Sequence, residues 1–131
     1  MVIDTSAIMS ILKDEMDGSA FTAAILADPV RLISAATLVE AGIVAFADRG
    51  QLGAWKLDNL LSELQIDVVP VSEDHARLAR EGFARFGKGR HPARLNFGDC
   101  FSYALAKASG HPLLFKGSDF SKTDVEVVPT A

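Results

Sequence analysis

Short apolar runs alternate with longer stretches of helical periodicity along this chain. Val2–Asp4, Val30–Ser34, Asp67–Val71 and Leu113–Lys116 read as strands, and Val125–Val128 predicts a fifth at the sheet edge. Between them, Ala20–Ala27 sets Phe21, Ala24 and Ile25 on one helical face, and Asp28-Pro29 breaks that helix. A helix from about Ala36 to Arg49 is stopped by Gly50, and Leu57, Leu60, Leu61 and Leu64 form the buried stripe of the next. Ser72 predicts an N-cap for a helix with Ala76, Ala79, Phe83 and Phe86 inward. Gly87 to Pro92 is a basic, proline-closed loop, after which Asn96 caps a helix to about Ser109 that Gly110 ends. Strand alternating with helix predicts an α/β fold, a parallel sheet between helix layers with right-handed crossovers.

Composition changes this picture little. The 131 residues suit one domain spanning 1–131, and 49% apolar content suits strands covered on both faces. No apolar run reaches bilayer length, and Val2 and Ile3 are too few for a signal peptide, so neither membrane nor secretion is expected. Cys100 is the sole cysteine, which rules out an internal disulfide and fits a reducing cytoplasm. The net charge of −4 taken alone argues against a nucleic-acid binder. Its distribution argues otherwise: Arg77, Arg80, Arg85, Lys88, Arg90 and Arg94 stand against Glu81 alone, a phosphate-tracking patch or a solvated helix face.

Four acids carry the candidate chemistry. Asp4 closes the first strand, where α/β sheets open their ligand crevice, although an acid at that junction also suits a helix N-cap. Glu40 lies on a helix face with Ala36, Thr37, Ile43 and Val44, and no base lies within one turn of it. An ionised carboxylate on so apolar a stripe needs a partner, and a bound cation is the economical one. Asp99 falls at the third position of its helix, suited to the helix dipole and to a ligand role alike. Asp119 follows the fourth strand, with Asp124 as its competitor. Convergent carboxylates repel unless a cation sits among them, which points to magnesium or manganese. Cys100 and the scattered His75, His91 and His111 offer neither a nucleophile–base pair nor zinc spacing.

Over essentially all of its length the chain resembles the PIN-domain ribonucleases, specifically the VapC-type toxins of bacterial toxin–antitoxin pairs. The resemblance rests on Val2 to Ser6, on Ser34-Ala35-Ala36-Thr37 leading to Glu40, on Leu95 to Ala106 (the most specific segment), and on Pro112 to Phe120 with Thr123-Asp124. It implies a three-layer α/β/α PIN-like fold with a central, mostly parallel sheet of four to five strands. The family's acidic site falls on Asp4, Glu40 and Asp99, with Asp119 as fourth member. Ser6 matches the hydroxyl residue that supports the first acid, and Asn96 the polar residue one turn before the third. The resemblance implies Mg²⁺, with Mn²⁺ as substitute, endonucleolytic cleavage of structured cellular RNA (tRNA or rRNA), and a VapB-type antitoxin that blocks the pocket. Lys88, Arg90, His91 and Arg94 are the expected backbone-gripping residues.

Other readings fare worse. An aspartyl-nucleophile phosphatase needs a second Asp two residues after Asp4, where Ser6 stands. A phospho-receiver domain needs an Asp closing the third strand, and Val69-Pro70-Val71-Ser72 supplies none. A non-catalytic PIN-like scaffold for RNA or a protein partner remains the alternative. The stripes at Leu57–Leu64 and Ala20–Leu26 suit a homodimer or an antitoxin groove, or simply the core.

Overall fold

The computed structural model describes residues 1–130; Ala131, the last residue of the expected domain, lies outside the described residues. In order come β1 (Val2–Ile3), α1 (Thr5–Leu12), α2 (Gly18–Ala27), β2 (Leu32–Ser34), α3 (Ala35–Glu63), β3 (Asp67–Val69), α4 (Glu73–Phe86), α5 (Phe97–Ser109), β4 (Leu113–Leu114) and a 3-10 turn (Phe120–Lys122). Among the described residues the sheet has four strands in the order β3-β2-β1-β4, all pairs parallel. β1 is therefore internal, and its carboxyl end opens between β2 and β4.

Side-chain alternation along the strands divides the core in two. Ile3, Ile33 and Leu114 face α1, α2 and α3, packing with Ala7, Ile8, Phe21, Ile25, Ala41 and Leu57. Val2 and Leu113 face the other way, toward α4 and α5, where Ala79, Phe86, Tyr103 and Leu105 complete a second cluster. This is the three-layer α/β/α arrangement. No helix among the described residues is long and apolar enough to cross a membrane.

The punctuation residues act as expected. Ser72 Oγ accepts from the His75 N–H, Asn96 caps α5, and Gly110 closes α5 in the left-handed region at φ 72°. α3 is two helical stretches abutting at Arg49 and Gly50, the latter at φ 58°. Of the Leu57, Leu60, Leu61 and Leu64 stripe, three are buried in the first core cluster and Leu60 packs against it partly buried, so core packing accounts for it.

Three expectations fail. On α3, Thr37 is buried beside Glu40, but Ile43 and Val44 of the same expected stripe are exposed. The fifth strand is reduced to one isolated parallel bridge, Leu113 to Val127, with hydrogen bonds from Leu113 N–H to Glu126 O and from Val128 N–H to Leu113 O. On α4, Ala79 and Phe86 are buried, but Ala76 and Phe83 are exposed. The third buried residue of that face is Gly82, which lies so close to the Tyr103 ring that a Cβ would overlap it. Phe83 and Ala76 instead line a groove of about 670 Å³ with Arg80, Phe97 and Phe101, between α4 and α5.

Candidate active site

The carboxyl edge of the sheet and the N-terminus of α5 bring the candidate acids toward one crevice. Asp4 follows β1 directly and caps α1. It is 3% exposed, and a carboxylate so placed must be hydrogen-bonded to stay charged. Its Oδ2 accepts from Ser6 Oγ at 2.7 Å and from the Ser6 N–H at 3.1 Å; its Oδ1 accepts from Ser102 Oγ at 2.6 Å. Ser6 is itself held from behind, because its Oγ accepts from the Lys116 N–H at 3.0 Å beyond β4.

Glu40 sits on the second turn of α3, half-buried, with Oε1 accepting from Thr5 Oγ1 at 2.5 Å. Its carboxylate lies against Gly98 at the start of α5, where a Cβ would overlap it. Gly98 is thus what permits α3 to bring an acid so close to α5.

Asp99 and Asn96 form a reciprocal capping box. The Asp99 N–H donates to Asn96 Oδ1 at 2.9 Å, and the Asn96 N–H donates to Asp99 Oδ2 at 3.0 Å. Burial pushes the Asp99 carboxyl up to about 6; the Asn96 N–H opposes this, and the negative charges of Asp4, Glu40 and Asp119 add to it. All four acids thus share one electrostatic neighbourhood. Asp119 is exposed, just before the 3-10 turn, and makes no capping bond.

No Lys, Arg or His among the described residues forms an ion pair with any of these four. The neighbouring cation, Lys116, is turned toward Glu15 at 2.9 Å and Asp17 at 3.6 Å. Nor, among the described residues, are three His, Cys, Asp or Glu side chains already gathered closely enough to hold an ion. The acids are within electrostatic reach but not in coordinating contact, the spacing that mutual repulsion favours. A set of carboxylate oxygens without an ion-paired cation among the described residues, one of them given room by Gly98, fits a hard divalent ion.

The remaining candidates separate cleanly. Asp124 accepts from the Tyr103 hydroxyl at 2.9 Å and pairs with Arg85 and Lys107, each at 3.2 Å, so it is occupied elsewhere. Lys88, Arg90 and Arg94 are exposed on the loop that feeds directly into Asn96, without ion pairs among the described residues. His91 is packed edge-on to Phe86 at 5.1 Å, and its Nδ1 accepts from the Ala93 N–H at 3.0 Å. The Cys100 thiol, buried and beside Asp99, is pushed up to about 11 and donates to Asn96 O. It is no nucleophile.

Thr5, Gly98 and Ser102 escaped the sequence reading. Thr5 lies within the Asp4-Thr5-Ser6 motif, and Ser102 is three residues after Asp99 on the same helical face, so spacing alone offered a signal for each.

Comparison with known proteins gives a consistent result. A family model described as PIN domain matches residues 1–126. Ribonuclease VapC30 of Mycobacterium tuberculosis is 51% identical, covering 98% of this chain and 98% of its own. Ribonuclease VapC of Mycolicibacterium smegmatis is 51% identical over 98% of this chain and 99% of its own. Among solved structures, M. tuberculosis VapC20, described as a Sarcin-Ricin loop cleaving toxin, matches with TM-score 0.78 and 20% identity over 98% of each chain. A toxin-antitoxin complex from Klebsiella pneumoniae matches with TM-score 0.73 and 18% identity, covering 99% of this chain and 97% of its own.

Proposed function

The chain belongs to the PIN-domain family and, within it, to the VapC-type ribonuclease toxins, and from that premise we propose that it is a divalent-metal-dependent endoribonuclease acting on structured RNA. The observation that carries the metal dependence is that none of the four acids is ion-paired among the described residues, while Asp4, Glu40 and Asp119 add to the rise that burial causes at Asp99. Asp4, Glu40 and Asp99 would hold the ion, Mg²⁺ first and Mn²⁺ as its substitute. Such an ion, when bound, lowers the pKa of a coordinated water and offsets charge building on the phosphate. Asp119, exposed just before the 3-10 turn, would orient the attacking water or help hold a second ion. In-line attack by water leaves a 5′-phosphate and a 3′-hydroxyl. Lys88, Arg90 and Arg94 grip the RNA backbone beside the acids, while His91 shapes their loop through Phe86.

The description of VapC20 as a Sarcin-Ricin loop cleaving toxin supports a looped target, in transfer or ribosomal RNA. A VapB-type antitoxin that covers the acids is the natural neutralising partner, a reading the toxin-antitoxin neighbour supports. We propose a homodimer as well, supported by Val39, Ile43 and Phe46 on α3, which are 62%, 65% and 53% exposed.

The test is cleavage of a total small-RNA pool by wild type and Asp4→Asn, each with Mg²⁺, Mn²⁺ or chelator. Discrete fragments from wild type with metal alone are the expected result. No cleavage by antitoxin-free wild type under any metal would favour the non-catalytic scaffold.

A further inference from the structure

The two oxygens of Asp4 are served by different parts of the chain. Oδ2 is held locally by Ser6, whereas Oδ1 is held by Ser102, 98 residues away in sequence. Serine inside a helix usually bonds the carbonyl four residues back, and Ser109 of the same helix does so, donating to Leu105 O at 2.6 Å. Ser102 is fully buried and gives its proton to Asp4 instead. Its oxygen also lies 3.3 Å from Thr37 Oγ1, itself 1% exposed on the first turn of α3 and three residues before Glu40. With the Ser102 proton committed to the shorter, charge-assisted bond at 2.6 Å, Thr37 is the donor of the 3.3 Å contact.

Resting on the reading of the acids as an ion-holding set, we infer that Ser102 is a positioning residue, the centre of a buried relay from Thr37 through Ser102 to Asp4. The relay ties α3, α5 and the end of β1 together, the three segments that carry Glu40, Asp99 and Asp4. It fixes the rotation of the Asp4 carboxylate and occupies one acceptor site of Oδ1, leaving the rest of that oxygen for an ion. Alanine at 102 leaves a buried charged oxygen without its donor and the carboxylate held by Ser6 at Oδ2 alone.

Mn²⁺ titrations of the metal-free full chain, read by electron paramagnetic resonance and calorimetry, test the relay in wild type, Ser102→Ala, Ser102→Thr, Thr37→Val and Ser109→Ala. Circular dichroism establishes that each is folded. Ser102→Ala should weaken Mn²⁺ binding by roughly ten- to a hundredfold, the usual cost of removing a group that orients a metal ligand. Ser102→Thr, which keeps the hydroxyl, should recover most of that loss, and Ser109→Ala should bind as wild type. Thr37→Val should lose about two- to fivefold, since it removes only the outer bond of the relay. Wild-type affinity in folded Ser102→Ala overturns the inference. So does a folded Ser102→Thr as weak as alanine, which marks a packing defect. If Ser102→Ala does not fold, Thr37→Val decides: unchanged affinity overturns the relay and a loss supports it. Wild type that binds no Mn²⁺ overturns the ion-holding reading itself, a distinct outcome from any of these.

Discussion

Asp99, half-buried, and Asp124, whose side chain is 33% exposed, both accept hydrogen bonds, and the chain treats them in opposite ways. At Asp124 burial alone would raise the carboxyl, but the Tyr103 hydroxyl, Lys107 and Arg85 outweigh it and hold the group below its ordinary value. At Asp99 burial acts in the same sense, and the neighbours reinforce it: Asp4, Glu40 and Asp119 all add negative charge, leaving the carboxyl at about 6. Glu15 and Asp17 likewise have a cation beside them, since Lys116 pairs with both. A structural acid thus receives its cation from the sequence. Asp99 has no such partner among the described residues, the imbalance expected of the ion-holding role proposed for it.

The sharpest way to break this comparison is to neutralise each acid in turn. Asp99→Asn keeps an oxygen acceptor for the Asn96 N–H and so preserves the capping box, yet it removes a carboxylate from the uncompensated set. RNA cleavage with Mg²⁺ should fall by more than about a thousandfold, roughly 4 kcal/mol at 1.36 kcal/mol per decade. Asp124→Asn should leave cleavage within about twofold and cost at most about 1 kcal/mol of stability in urea, because its ion pairs are surface ones. Equal loss of activity in both variants would erase the distinction.

A second variant probes how the uncompensated set is brought together. Gly98→Ala adds one methyl where the Glu40 carboxylate lies, forcing that carboxylate or the start of α5 to shift. A shift of that size at a reacting centre costs on the order of a hundredfold in activity. The substitution replaces glycine with a better helix former, so urea denaturation should show stability changed by less than about 1 kcal/mol. A fully active Gly98→Ala would mean that Glu40 need not sit against α5.

What was legible in the chain follows the same division. Asp4, Asn96, Asp99, Gly50, Ser72 and Gly110 are readable because each acts within a few residues of itself, at a strand end, a cap or a helix stop. Glu40 was singled out by an apolar stripe that is only partly buried: Thr37 beside it is in the core, whereas Ile43 and Val44 face outward. Ser102 and Gly98 are silent because their partners, Asp4 and Glu40, are far away in sequence. α4 misled for a related reason: apolar periodicity marks Ala76 and Phe83 as inward, while Gly82, which lies against the Tyr103 ring, carries no hydrophobic signal at all. Periodicity finds apolar faces but does not distinguish the core from a groove of about 670 Å³. The fifth strand failed because a single bridge to Leu113 suffices to dock the terminal segment.

The smallest effect is thermodynamic, and it sharpens the comparison most directly, because the two acids should tilt stability in opposite directions with pH. Asp99 has a folded-state value of about 6 against an ordinary 3.8. Below pH 4 the folded and unfolded chains both hold this proton, and the group costs nothing. As pH rises from about 4 to about 6 the unfolded chain gives up the proton first, so the folded state binds more protons and metal-free stability falls. Above about 6 the loss is complete. Two units correspond to at most about 3 kcal/mol, and partial solvent access reduces this to roughly 1–2 kcal/mol. Asp124, held low, gives stability that is present above the ordinary carboxylate range and disappears as pH drops through its folded-state value. Urea denaturation of chelator-treated protein across pH 3 to 8 should therefore show Asp99→Asn gaining on wild type as pH rises through the 4–6 window. Asp124→Asn should lose on wild type over the acid side of the same range. Saturating Mg²⁺ should cancel the first difference and leave the second, since the proposed ion would supply to Asp99 what Arg85 and Lys107 already supply to Asp124.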